Sequence, residues 1–98
     1  MTESRFVLEA IALRRCLEAT YNRMRIKLAP HILYTRHGEL FVDAVTIERE
    51  GRAVGEAKLG TFKLTGLQIR EVVAHPFNPQ NVFDPANPKY QGVTLLAV

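Results

Sequence analysis

Three cations alternate with apolar residues in one short stretch of the chain. The cations are Arg23, Arg25 and Lys27, and the apolar residues that alternate with them are Met24, Ile26 and Leu28. Because successive side chains of a β-strand point to opposite faces, this alternation predicts one apolar face and one cationic face. A row of cations can follow a phosphate backbone or hold an anionic ligand. It can equally be the solvated side of an edge strand, whose charges resist association with other strands.

Aromatic residues near this row offer a surface on which a base or another flat ligand could stack. Tyr34 and Phe41 are the candidates, because they fall in the two segments that follow the cations. The alternation of Phe41 with Asp43 is also typical of a core position. We therefore predict a binding site made of the three cations and these two rings.

The other reactive residue types show no pattern typical of catalysis or metal binding. The spacing of His31, His37 and His75 matches neither HxH nor HExxH, and His31, next to Pro30, is interpreted as structural. Cys16 is the single cysteine and no base accompanies it, so we interpret it as a small buried hydrophobe. The sequence predicts a protein that is not an enzyme, with no catalytic residue, no metal site and no cofactor.

Composition and charge define the class of protein. The chain has 98 residues, enough for one small core, and 47% of them are hydrophobic. The net charge is +3, and the first 38 residues carry seven Lys and Arg against three Asp and Glu, which favours acidic partners. A single cysteine fits a reducing cytoplasm, and no apolar run approaches the roughly 20 residues that cross a bilayer. We expect a cytoplasmic protein without membrane contact.

The candidate residues need a framework, and the spacing of apolar residues predicts mostly strands. A helix is predicted from the N-terminus to about Cys16, because apolar residues recur there every three or four positions. Beyond it the period is two, with predicted strands at residues 17–21, 23–28, 31–35, 39–48, 60–64 and 67–74, the last also compatible with a short helix. We expect Pro30 to end the strand of cations. One helix followed by short strands predicts a mainly β fold, a small β-barrel.

The C-terminal part of the chain differs from the rest in its proline content. Residues 75–92 contain four of the five prolines, which predicts an extended arm anchored by Phe77, Phe83 and Tyr90. An apolar strand follows. We divide the chain into a barrel domain, residues 1–75, and an arm with its strand, residues 76–98, packed on the barrel or on a partner. Such a strand predicts a homo-oligomer formed by exchange or edge pairing, with pairing in its own sheet as the alternative.

In this order the segments resemble a WYL domain. The matching runs are AIALRRCLEATY, KLAPHILYTRHGELFVDA and GTFKLTGLQIREV, which together extend over roughly residues 9–73. Residues 40–42, Leu-Phe-Val, stand where Trp, Tyr and Leu give the family its name. Residues 62–64, Phe-Lys-Leu, stand at the family's Phe-Arg-Leu, and Pro30 stands at its proline.

The resemblance implies an Sm-like, SH3-type β-barrel with a regulatory role. Domains of this kind usually follow a winged-helix DNA-binding domain in bacterial transcription regulators, where they are thought to sense a ligand or nucleic acid. Lys63 keeps a charge at the family's arginine and joins the predicted site, whereas Gly60 and Gly66 stand where arginines are common. Because the chain shows a single helix, the resemblance also implies a separate DNA-binding regulator as a possible partner.

Two functional hypotheses follow. The leading one is a non-catalytic regulatory binding module of the WYL type, which senses a small anionic or nucleotide-like ligand or single-stranded nucleic acid in transcription regulation. The alternative is a protein-interaction or scaffold module that self-associates and binds no small ligand. A retained ligand, or a salt-dependent shift with a single-stranded oligonucleotide, favours the first hypothesis, and a constant dimer without a shift favours the second.

Overall fold

The structure, a computed structural model, describes residues 2–56 and 58–98. Its helix α1 covers Thr2–Leu13, and the strands of the described residues are β1 Arg15–Tyr21, β2 Met24–Arg36, β3 Glu39–Arg49, β4 Arg52–Ala53, β5 Leu59–Lys63, β6 Gln68–Pro76 and β7 Thr94–Ala97. Short 3-10 turns lie at Leu64–Gly66 and Pro88–Tyr90. Strands make up more than half of the described residues, so the predicted fold class, mainly β with one N-terminal helix, is confirmed.

Helix α1 packs one face on the barrel and ends earlier than its spacing predicts. Val7, Ala10 and Ile11 are buried in the main core, at the three- and four-residue spacing of a single helical face. The prediction that the helix continues to Cys16 is wrong, because Arg14 has a φ of 54° and turns the chain out of the helix. Cys16 lies in β1 instead, where it is fully buried.

Strand β2 is continuous over 13 residues, so the prediction that Pro30 ends it is wrong. Its neighbour on one edge changes at this point, because β1 pairs with it up to Leu28 and β7 pairs with it from Ile32 onward. The register with β3 also shifts between Pro30 and Ile32, as in a β-bulge. A bulge tolerates a residue that has no N–H to donate, and the strand therefore continues through the proline.

The antiparallel sheet curls into a half-barrel, compatible with the predicted small β-barrel. β3 pairs with β2 on one edge and with β4 and β5 on the other. After the 3-10 turn at Leu64–Gly66, β6 returns to pair with β1. The main core lies between the curled sheet and α1, and it includes Leu17, Leu28, Leu33 and Val42, all fully buried.

The C-terminal arm, defined here as residues 77–93, crosses the outer face of β2 and β3. Phe77 and Tyr90 are its buried anchors, and Tyr90 packs against Tyr34 of β2. The arm leads into β7, which pairs with β2 of the same chain. Because the sheet is covered on both faces here, β2 is buried without interruption over residues 28–34, and the period-two pattern disappears.

Candidate functional site

The β1–β2 hairpin presents the predicted row of cations, with one change. Asn22 and Arg23 have φ of 50° and 63° and form the two-residue turn, so Arg23 precedes the strand instead of lying in it. Turns of this kind match the twist of the strands they connect. Within β2 the alternation holds, because Arg25 is exposed while Ile26 and Leu28 are buried.

Carboxylates surround the two cations of the strand. Arg25 Nη2 lies 3.8 Å from Glu18 Oε1, and Lys27 Nζ lies 3.1 Å from Glu48 Oε2. Glu50 Oε1 accepts a hydrogen bond from the backbone N–H of Arg25 at 2.9 Å. The five residues line an open groove of about 240 Å³. Since they carry three negative and two positive charges, the groove disfavours an anion, and this geometry favours the interpretation of the row as a paired, solvated face.

The two remaining predicted cations have different surroundings. Lys63 Nζ lies 2.8 Å from Glu39 Oε1, and both side chains are about half exposed. Exposed pairs of this kind contribute little to stability, but this one occupies a donor that an anion would need. Arg23 is exposed, and no carboxylate of the described residues lies within 4.0 Å of its guanidinium.

The two predicted stacking rings lie beneath the C-terminal arm. Tyr34 is fully buried, and its ring stacks on Phe41 with the centroids 6.1 Å apart. The ring of Tyr90 meets Tyr34 edge to face, with the centroids 5.0 Å apart. Phe41 is half-buried. While the arm is in place, Tyr34 has no free face for a ligand, because a segment distant in sequence covers it.

Asp43 forms a buried polar cluster beneath the arm, which no local pattern in the sequence indicates. Tyr34 donates a hydrogen bond to its Oδ1 at 2.7 Å, and Tyr90 donates to its Oδ2 at 2.5 Å. Lys89 Nζ lies 2.8 Å from the same Oδ2. Burial raises the pKa of both tyrosines, and the carboxylate of Asp43 raises it further. Both oxygens of the carboxylate are engaged, so the cluster fastens the arm and leaves no free base.

A second cavity, of about 270 Å³, opens beside the β1–β2 turn, and we call it the hairpin pocket. It is lined by side chains from β1, the β1–β2 turn, β2, β3 and β5, namely Tyr21, Asn22, Met24, Ile26, Thr46, Arg49 and Phe62. The rings of Tyr21 and Phe62 meet edge to face, with the centroids 5.2 Å apart. Apolar walls with a few polar groups are the composition that small-molecule sites share.

One cation lines the hairpin pocket, and two more are neighbours of its lining residues. Arg49 lines it, and Arg52 stands directly opposite Arg49 in the β3–β4 ladder. Like charges in opposite positions destabilise an antiparallel pair. Among the described residues, neither arginine has a carboxylate within 4.0 Å. Arg23 follows Asn22 at the edge of the pocket. An anion bound beside Arg49 and Arg52 would relieve the repulsion within this pair.

The sequence contains only part of the signal for this pocket. Arg49 and Arg52 stand on either side of Glu50 and Gly51, so a two-residue turn at this glycine places them opposite each other. The contribution of Phe62 has no local signal, because β5 reaches β3 only after the loop that follows β4.

Comparisons with known proteins do not assign a function to the chain. No family model matches the chain, and no match was found among curated proteins or among solved structures. Within residues 2–56 and 58–98, no helix is long and apolar enough to cross a membrane. Those residues also contain no group of three or more His, Cys, Asp and Glu side chains that could hold a metal ion.

Proposed function

We propose that the chain is a non-catalytic regulatory binding module of the WYL type, which binds a small anionic ligand with a flat apolar part in the hairpin pocket. The observation that carries the proposal is the pair Arg49 and Arg52, opposed without a carboxylate partner beside an aromatic cavity. A guanidinium can hold a phosphate or carboxylate through two parallel hydrogen bonds. The flat part of the ligand would lie against Tyr21 and Phe62.

The lining of the pocket supports binding without catalysis. Its polar side chains supply an amide from Asn22, hydroxyls from Tyr21 and Thr46, and the guanidinium of Arg49. General acid–base catalysis needs a group that exchanges a proton near neutral pH, such as histidine or a perturbed carboxylate. These side chains bind and orient a ligand instead. The resemblance to WYL domains supports a role in regulation, in which the ligand would alter a partner's activity.

An anionic aromatic dye tests the proposal directly. Anilinonaphthalene sulfonate combines a flat apolar ring system with one negative charge, and its fluorescence rises in apolar surroundings. We expect saturable binding to the folded protein and weaker binding to Arg49→Gln. Loss of a hydrogen bond between charged groups, about 1.5–3 kcal/mol, corresponds to a roughly 10- to 150-fold weaker affinity. The matched control is Arg5→Gln, which removes an exposed arginine from α1.

Competing ligands define the class more closely. Displacement of the dye by adenosine monophosphate, but not by adenosine, would assign the charge requirement to the arginines. A single-stranded oligonucleotide that makes three or four phosphate contacts would bind with a log–log salt slope of about −2 to −3. Equal dye affinity of Arg49→Gln and Arg5→Gln would contradict the proposal, as would the absence of any saturable binding.

A second candidate function, self-association, is favoured by apolar side chains on the terminal strand. Leu95 of β7 is 43% exposed, and Val93, which directly precedes the strand, is 66% exposed. A second copy could cover these side chains. Sedimentation equilibrium over a wide concentration range tests the proposal. A dimer that dissociates in Leu95→Lys would support it, and a monomer at every concentration would contradict it.

A further inference from the structure

The C-terminal arm is held at His31 as well as at Asp43. His31 lies at the bulge of β2, and its side chain is fully buried beneath the arm. Its ring centroid is 5.2 Å from that of Phe77 and 5.4 Å from that of Phe83. A titratable ring is thus enclosed by two of the arm's aromatic side chains, in a position that the hairpin pocket does not use.

The hydrogen bonds of His31 require one protonation state. Its Nδ1 lies 2.7 Å from the carbonyl oxygen of Ala29, which can only accept, so Nδ1 carries the proton. Its Nε2 accepts a hydrogen bond from the backbone N–H of Gln80 in the arm at 3.0 Å. The ring is therefore neutral. A second proton on Nε2 would point a donor at the N–H of Gln80 and would place a charge among aromatic rings.

The acidic side chains on the elements near His31 bind other partners and do not contact its ring. Asp43 on β3 is paired with Lys89 of the arm, and Asp84 of the arm accepts from a backbone N–H two residues along the chain. The Cys16 thiol of β1 belongs to the neighbouring cluster around Phe77, and burial raises its pKa to about 11, so it stays neutral. Strand β7 carries no titratable side chain. Among the described residues, no carboxylate lies within 4.0 Å of the His31 ring to stabilise an imidazolium.

We propose that His31 is an acid-sensitive latch, which holds the C-terminal arm on the sheet when neutral and releases the segment around Gln80 when protonated. Release uncovers the part of β2 around His31, while the Asp43 cluster still fastens Lys89 and Tyr90. Burial lowers the pKa of His31, and the hydrogen bond to Ala29 opposes this only in part. A histidine that is freed from the closed arm has a pKa of about 6.5. The latch is therefore fully effective above this pH and weakens as the pH falls below it.

The size of the effect follows from proton linkage. If the closed form does not bind the proton and the open form binds it with a pKa of about 6.5, the open population rises about tenfold between pH 7.5 and pH 5.5. The amide of Gln80 reports this opening, because its N–H is the donor to His31. We expect its hydrogen-exchange protection factor, measured by NMR and corrected for intrinsic exchange, to fall about tenfold over this range.

The three histidines provide a matched comparison. His31→Gln can donate to Ala29 or accept from Gln80 but cannot become charged in this range, so its Gln80 protection factor should be independent of pH. His37→Gln and His75→Gln change exposed histidines and should retain the tenfold dependence. In the wild-type protein, the imidazole resonances of His31 should titrate below pH 6.5. A wild-type Gln80 protection factor that does not change between pH 7.5 and pH 5.5 would overturn the latch. So would a tenfold pH dependence of this protection factor that persists in His31→Gln. A His31 that titrates at or above pH 6.5 would overturn it even if the variant failed to fold.

Discussion

The hydroxyl of Tyr90 allows a quantitative test of how the C-terminal arm is fastened. It donates to Asp43 at 2.5 Å, and the carboxylate that accepts is fully buried. A hydrogen bond to a charged group contributes about 1.5–3 kcal/mol to stability. Tyr90→Phe removes the hydroxyl and keeps the ring that packs on Tyr34. We therefore expect the free energy of unfolding to fall by about 1.5–3 kcal/mol.

Urea denaturation followed by circular dichroism measures this difference. The m-value should not change, since the variant buries the same surface, and the shift in midpoint then reports stability alone. For a domain of this size, about 4–8 °C per kcal/mol implies a fall in Tm of roughly 6–24 °C. Tyr21→Phe is the matched control. Tyr21 is half-buried, and its hydroxyl has no hydrogen bond to a described residue, so we expect a change within about 0.5 kcal/mol.

Equal stability of the two phenylalanine variants would refute the fastening role of Asp43. Tyr34→Phe provides an independent check, because Tyr34 donates to the other oxygen of the same carboxylate at 2.7 Å. Two hydroxyls that share one acceptor should be coupled, so the double variant should deviate from additivity by at least about 0.5 kcal/mol. Strict additivity would mean that the two hydrogen bonds act independently, contrary to the cluster described above.

Three further predictions concern other parts of the fold. Ile26→Ala should lower the free energy of unfolding by about 2–5 kcal/mol, because Ile26 is only 7% exposed. Arg25→Ala, at an exposed position of the same strand, should change it by less than about 0.5 kcal/mol. Urea denaturation of both variants checks this difference. Gly92→Ala should loosen β7, since an added Cβ would overlap the backbone carbonyl oxygen of Thr35 in β2. Gly55→Ala should leave β7 unchanged, because the space around Gly55 is open. Faster hydrogen exchange of the β7 amides in Gly92→Ala alone would confirm this. Cys16 should react with a thiol reagent at pH 8 about 100-fold more slowly in the folded than in the urea-unfolded protein. The reason is that burial raises the pKa of the Cys16 thiol to about 11, and only the thiolate reacts. Equal reaction rates in the two states would contradict this.

Much of the local structure was predictable because short-range physics decides it. The break between the predicted strands 31–35 and 39–48 contains a glycine, and the structure turns there with φ of 52° at His37 and 78° at Gly38. The turn after β3 follows the same rule, with φ of 52° at Glu50 and 79° at Gly51. The candidate site was less predictable. The run of cations predicts a positive surface, but the carboxylates that pair with Arg25 and Lys27 come from β1 and β3.

The sequence by itself therefore determined the helix, the hairpins and the class of fold, since spacing and turn chemistry act over a few residues. Only the tertiary structure decided which polar groups are free. Lys27 meets Glu48 across 21 positions, and Tyr34 is covered by an arm that begins more than 40 residues later. Arg49 gains an aromatic neighbour in Phe62 because the sheet curls and brings β5 onto β3. Whether a charged side chain has an ion-pair partner, and whether an aromatic ring is covered, depends on the path of the whole chain. These two properties distinguish a binding site from a solvated surface.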